Sequence, residues 1–270
     1  DLTPRIKGDN NLVALVIPFD KTLGGIVNTI KGATEYLKNR GYYLTVHSTC
    51  RNPLEERQVL TELTQKDLAG IIFYPRYDTV NLDIINNLYL EKYPLVVIDK
   101  FFEDIPISYV VSDNFEGGYL ATDHLLKQGH RKISFMSGYS IERVISIRQR
   151  YFGYCKAFKD YNLEVDTSII KLGLRQSVSN VEEEELKQII EELVDTGVTA
   201  IQTGNDYFAI TIEKIALQLG INIPEELSIV GFDNIEIAEK VSVPLTTVEQ
   251  DFYNIGEKAA KTIVDMSQEH

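Results

Sequence analysis

Hydrophobic and polar positions alternate along this chain between two kinds of segment. Short apolar runs rich in β-branched residues predict strands at Val13–Pro18, Tyr42–Ser48, Gly70–Tyr74, Leu95–Ile98, Tyr109–Ser112, Lys132–Ser137, Ile169–Lys171, Ala200–Thr203, Ser228–Phe232 and Thr247–Gln250. Longer amphipathic stretches between them predict helices at Gly25–Arg40, Leu54–Gln65, Leu82–Glu91, Glu116–Lys127, Ile145–Tyr161, Val181–Thr196, Tyr207–Leu219 and Phe252–Met266. Strand and helix in turn is the pattern of parallel βαβ architecture. Glycine follows a basic last turn in "KNRGYY" and "LKQGHRK", where a left-handed residue closes a helix. Near Ser112–Asn114 a strand ends and a new βα series begins with no Gly/Ser linker, which points to two similar lobes joined by crossing strands.

Composition narrows the function classes. With 270 residues, 44% of them hydrophobic, the chain has enough apolar material for two α/β lobes. Its longest apolar runs fall short of the roughly 20 residues that span a bilayer. The opening "DLTPRIKGDNN" has no signal-peptide core, so the expectation is a soluble cytoplasmic protein without a membrane partner. A net charge of −13 repels phosphate backbones, so any DNA contact must come from another segment. Cys50 and Cys155 fit no zinc or dithiol spacing and are expected to be reduced thiols. The acidic run Glu182–Glu185 reads as a solvated first helical turn favoured by the helix dipole. His47, His124, His130 and His270 assemble no catalytic set, and no G-x-S-x-G, P-loop or H-E-x-x-H motif occurs. No metal, cofactor or catalytic residue is expected.

The segment "VVSDNFEGGYLATDHLLKQGHRKISFMSG" from Val110 resembles the central signature of the lactose/galactose-repressor family of transcription regulators. "SIRQRYFGY" at Ser146–Tyr154, "TAIQTGNDYFAI" at Thr199–Ile210 and "IPEELSIVGFDNIEIAEKVSVPLTTVEQDF" at Ile223–Phe252 match the family in order and spacing, and "STCRNPLEERQVLTELTQKDLAGIIFYP" matches its second helix and third strand. The resemblance covers nearly all of Leu12–Met266. It implies an α/β fold of the periplasmic-binding-protein-like type: two doubly wound parallel-sheet lobes joined by three crossover segments. Residues 1–11 would be a linker remnant, 12–112 plus 251–270 the N-terminal lobe and 113–250 the C-terminal lobe, the family's DNA-binding head lying outside this chain.

Ligands of open parallel sheets sit beyond the carboxyl ends of the strands. A sugar needs carboxylates, amides and guanidinium for its hydroxyls and aromatics for its ring face. Such groups stand at strand ends here: Phe19, Asp20, Phe73, Arg76, Tyr77, Asp99, Asn205, Asp206, Asp233 and Gln250. The family resemblance implies that Arg150 and Asp233 read ligand oxygens, that Asn205 reaches the ligand while Asp206 caps the following helix, and that Asp99, Ser146, Arg148 and Gln250 occupy contact or near-contact positions. In the first lobe "FDKTLGG" departs from the family's usual wording, and Lys100 stands where arginine is common. Packing is the competing reading for Phe73, Arg76 and Tyr77, and a cap for Asp233.

The function implied is the effector-sensing core of a bacterial regulator, a repressor, in which a sugar-like molecule bound between two lobes of a homodimer changes the operator-DNA affinity of an attached head. The alternative is a sugar-binding receptor of a transport system, which predicts export.

Overall fold

A computed structural model describes residues 11–18, 25–49, 52–174 and 181–268. The first series of elements is β1 (Leu12–Ile17), α1 (Ile26–Lys38), β2 (Tyr43–Ser48), α2 (Pro53–Leu63), β3 (Gly70–Phe73), α3 (Leu82–Leu90), β4 (Leu95–Ile98) and β5 (Ser108–Val110). A second series follows: α4 (Asn114–Lys127), β6 (Ile133–Met136), α5 (Ile145–Asp160), α6 (Val181–Asp195), β7 (Ala200–Thr203), α7 (Asp206–Gln218), β8 (Ser228–Asp233) and β9 (Thr246–Glu249). The last element is α8 (Phe252–Gln268). The chain divides into two units, one running to Ser112 and resuming at Asp251, the other Asp113–Gln250.

In the first unit five parallel strands lie in the order β2-β1-β3-β4-β5. The inner strands are buried but for Leu12 at the start of β1, as expected when helices cover both faces. Successive side chains point to opposite faces. Val13, Leu15, Ile17, Ile72, Val96 and Ile98 therefore pack with α1 and α8, while Ala14, Val16, Ile71, Phe73, Leu95 and Val97 pack with α2 and α3. The second unit carries a parallel sheet in the order β6-β7-β8-β9. Ile201 and Ile229 pack there with α6 and α7.

Close helix pairs recur in both units and rest on glycine. A Cβ on Gly32 of α1 would lie 2.0 Å from the Tyr253 carbonyl oxygen of α8, and one on Gly256 would lie 2.0 Å from that of Thr29. In the second unit a Cβ on Gly118 of α4 would lie 2.2 Å from the Arg150 carbonyl oxygen of α5, and one on Gly153 would lie 2.1 Å from that of Phe115. The backbones thus touch directly, and this sets the position of α5, which carries Arg150.

Two sequence expectations need correction. Ile169–Lys171 is not a strand: Thr167–Ile169 is a short 3-10 turn followed by a single bridge, Met136 to Lys171. The cause is local, because Asp166 Oδ1 accepts from both the Ser168 N–H (3.0 Å) and its hydroxyl (2.6 Å), curling Thr167–Ile169 out of extended backbone. The chain passes between the units twice, at Ser112–Asp113 and Gln250–Asp251, rather than three times. Among the described residues no helix is long and apolar enough to cross a membrane.

Candidate functional site

The second unit builds a polar cluster where the carboxyl ends of β7, β8 and β9 meet the first turns of α4 and α5. Arg150, on the second turn of α5, is 4% exposed. A buried guanidinium needs its donors satisfied, and here Nε donates to Asn114 Oδ1 (2.8 Å) and an Nη donates to the Gly204 carbonyl (2.5 Å). Its Cζ sits 3.6 Å from the centre of the Phe232 ring, a cation–π contact. The carboxylate of Asp233 is 3.6 Å away.

Asp233 closes β8 with φ +125°, and Asn234 follows at +53°. Residues other than glycine adopt such backbone only when their surroundings impose it. Gln250, just past β9 and 6% exposed, donates from Nε2 to Asp233 Oδ1 at 2.6 Å. Ser146 is buried one turn before Arg150. Arg148 is half-buried and lies about 200° around the helix from Arg150, so the helix turns these two arginines to different sides.

In the Asn205–Asp206 pair the cap falls on the residue that was not expected to supply it. Asn205 is the cap of α7, its Oδ1 accepting from the Phe208 N–H at 2.9 Å. That bond leaves the amide Nδ2 as its donor for other groups. Asp206 does not cap: it is 0% exposed and accepts from the Ile235 N–H (2.9 Å) and the Thr247 hydroxyl (2.5 Å). Burial raises its pKa above the ordinary carboxylate value, while the bond from Thr247 and backbone N–H groups, that of Ile235 foremost, pull it back. Both residue types cap helices well, and the turn in which α7 begins decides which does.

The first unit has its own cluster beyond β3 and β4. Asp99 ends β4 with φ +69° and pairs with Lys100, Nζ to Oδ2 at 2.5 Å. The Lys100 ammonium lies 4.6 Å from the Tyr74 ring centre, and the Arg76 guanidinium 5.0 Å from that of Tyr77. Beneath them Glu56, 1% exposed, accepts from the Arg76 N–H (3.2 Å) and from Asn81 Nδ2 (2.8 Å). Burial raises its pKa, opposed by those two bonds and by the charges of Lys100 and Arg76.

Phe73 does not belong to this cluster. It is 0% exposed and packed with Leu60, Leu63, Ile85 and Leu88, because the strand's two-residue alternation turns it with Ile71 into the core. Tyr74, next along, lies against the Lys100 ammonium instead. Phe19, Asp20 and Cys50 lie outside the described residues. Cys155 is half-buried.

Sequence reasoning missed Asn114, Phe232, Lys100 as a partner of Asp99, and Glu56. The first two stand inside the quoted "SDNF" and "GFDN" wording, where their adjacency to named positions was the available signal. Glu56 in "NPLEER" looks like any acid in a first helical turn. Chemically the second-unit cluster offers a forked cation, a carboxylate acceptor and two amides, a set suited to ligand hydroxyls. Among the described residues no group of three or more His, Cys, Asp or Glu is placed to hold a metal ion.

Comparison with known proteins agrees with this architecture. The periplasmic binding protein-like domain matches residues 122–270. The chain is 30% identical to the HTH-type transcriptional repressor PurR of Photobacterium profundum, over 91% of this chain and 74% of the relative. It is 28% identical to the arabinose metabolism transcriptional repressor of Geobacillus stearothermophilus, over 98% of this chain and 76% of that one. Among solved structures, a LacI family transcriptional regulator from Enterococcus faecium with bound ribose superposes with a TM-score of 0.78 at 28% identity, covering 95% of this chain and 90% of that one. These relatives are transcriptional regulators. The chain belongs to the LacI family of transcriptional regulators, of which it carries the effector-sensing, periplasmic-binding-protein-like core.

Proposed function

We propose that this core senses a neutral sugar of pentose or hexose size through Arg150, Asp233, Gln250 and Asn205, that it works as a homodimer in the cytoplasm, and that operator DNA is touched by an attached DNA-binding domain. The observation that carries the reading is the Arg150–Asp233 pair: a buried guanidinium and a carboxylate 3.6 Å apart, held by Asn114, Gly204, Phe232 and Gln250 at the strands' carboxyl edge. Donor and acceptor side by side complement a sugar's paired hydroxyls, whereas the acidic groups disfavour a phosphorylated ligand. Ribose bound to the Enterococcus faecium regulator and the arabinose role of the Geobacillus stearothermophilus repressor make pentoses the first candidates. Asp99, Arg76 and Tyr77 offer similar chemistry in the first unit, with Ser146 one turn before Arg150 and Arg148 on another side of the same helix. Effector binding acts by population shift, favouring one conformation of the core over another, with no bond made or broken.

Calorimetric titration of D-ribose, L-arabinose and D-glucose into wild type, Asp233→Ala and Arg150→Lys tests the reading, with circular dichroism confirming the folds. Losing the Asp233 carboxylate should weaken binding by about 2–3 kcal/mol, or roughly 30- to 150-fold, and losing the Arg150 fork should weaken it in the same direction. Equal binding by wild type and both folded variants would place the site elsewhere. Sedimentation of the purified chain as a monomer at micromolar concentration would refute the homodimer.

A further inference from the structure

Asp206 is buried beside the sugar-reading residues and takes no part in reading. Its carboxylate accepts the Ile235 N–H and the Thr247 hydroxyl. The Ile235 N–H follows Asp233 and Asn234 directly along the chain, and Thr247 belongs to β9, the strand that leads into Gln250. Approach is so close that a Cβ on Gly231 would lie 2.1 Å from Asp206 Oδ1. The segment held in this way contains the two successive positive-φ residues Asp233 and Asn234. Unfavourable backbone of this kind persists only where bonds over-determine it, and Asp206 supplies those bonds.

We infer that Asp206 is a positioning residue for effector recognition: it holds the Phe232–Ile235 backbone in the conformation that sets Asp233 between Arg150 and Gln250, and it does not touch the sugar. The inference rests on the sugar reading above. It makes one demand that a general contribution to stability does not: the effect of removing the Asp206 charge on sugar binding must pass through Asp233.

A double-mutant cycle on the whole chain isolates that demand. Asp206→Asn keeps the shape but puts an amide where these donors converge. Titrations with D-ribose and L-arabinose are made on wild type, Asp206→Asn, Asp233→Ala and the double variant, alongside hydrogen exchange of residues 231–236 in sugar-free protein. Asp206→Asn should weaken sugar binding roughly 10- to 100-fold on the wild-type background and by less than about twofold on the Asp233→Ala background. Exchange in the 231–236 segment should quicken by at least roughly tenfold while global unfolding stays cooperative. If Asp206→Asn does not fold, Thr247→Val, which removes one bond and keeps the volume, should show the same pattern at a smaller size. Equal losses on both backgrounds, unchanged exchange, or faster exchange with unchanged affinity would each overturn the positioning role. If neither sugar binds wild type, the pentose reading falls, and the exchange measurement still decides whether Asp206 holds the loop.

Discussion

Gly118→Ala separates helix propensity from helix packing in the second unit. By propensity alone, alanine in a helix interior gains about 1 kcal/mol over glycine. Here the added Cβ would fall 2.2 Å from the carbonyl oxygen and 2.6 Å from the Cα of Arg150, where ordinary contact begins at 3.4 Å. The obstacle is backbone, so no rotamer relieves it, and α4 and α5 must part by about an ångström. Overpacking of this kind costs about 1–3 kcal/mol or more. The upper end applies because parting the helices also loosens the Arg150 bond to Asn114. A net loss of about 1–2 kcal/mol follows, which lowers the melting temperature by about 3–8 °C for a unit of this size. Calorimetric melting measures it, with sugar affinity recorded in parallel, and Leu120→Ala on the same helix, 49% exposed, is the control. A melting temperature that rises in Gly118→Ala would show that propensity rules and that the two backbones are not in contact.

Three further outcomes follow from named groups. Phe73→Ala should cost about 3–5 kcal/mol in urea unfolding while the folded variant keeps its sugar affinity, since the ring is core; a selective loss of affinity would restore it to the site. Tyr154→Phe removes a buried 2.7 Å bond to the Ile133 carbonyl and should cost about 1–2 kcal/mol, read from the same unfolding curves, with no change marking that bond as energetically silent. The bond from Arg57 lowers the Asp83 pKa from 3.8 to about 2. A depressed carboxylate contributes stability above its unfolded pKa and loses it as pH falls through the folded value. Asp83→Asn should therefore lower the urea midpoint slightly near pH 6, with the difference closing between 3.8 and about 2; a difference that persisted below that window would refute the pairing.

Local chemistry made much of this protein legible before any coordinates. Runs such as "LVALVI" and "GIIF" are short, β-branched and without polar alternation, so they read as strands covered on both faces, and the amphipathic stretches between them read as the covering helices. The glycines of "KNRGYY" and "LKQGHRK" close their helices with positive φ, Gly41 at +79° and Gly129 at +98°. What the tertiary structure alone decided concerns direction and distance. In "GIIFYP" every position is apolar or aromatic, so nothing in the string shows whether Phe73 or Tyr74 turns into the core; the parity of β3 against its neighbours does. In "GNDY" both Asn205 and Asp206 suit a cap, and the turn in which α7 begins left one to cap and buried the other. The Arg150 setting draws on Asn114, Gly204, Phe232 and Asp233, up to 83 positions away along the chain, and hydrophobic periodicity reaches only a few residues. Residues so far apart in sequence become neighbours only because parallel strands bring all their carboxyl ends to one edge, and that edge exists only in the folded sheet.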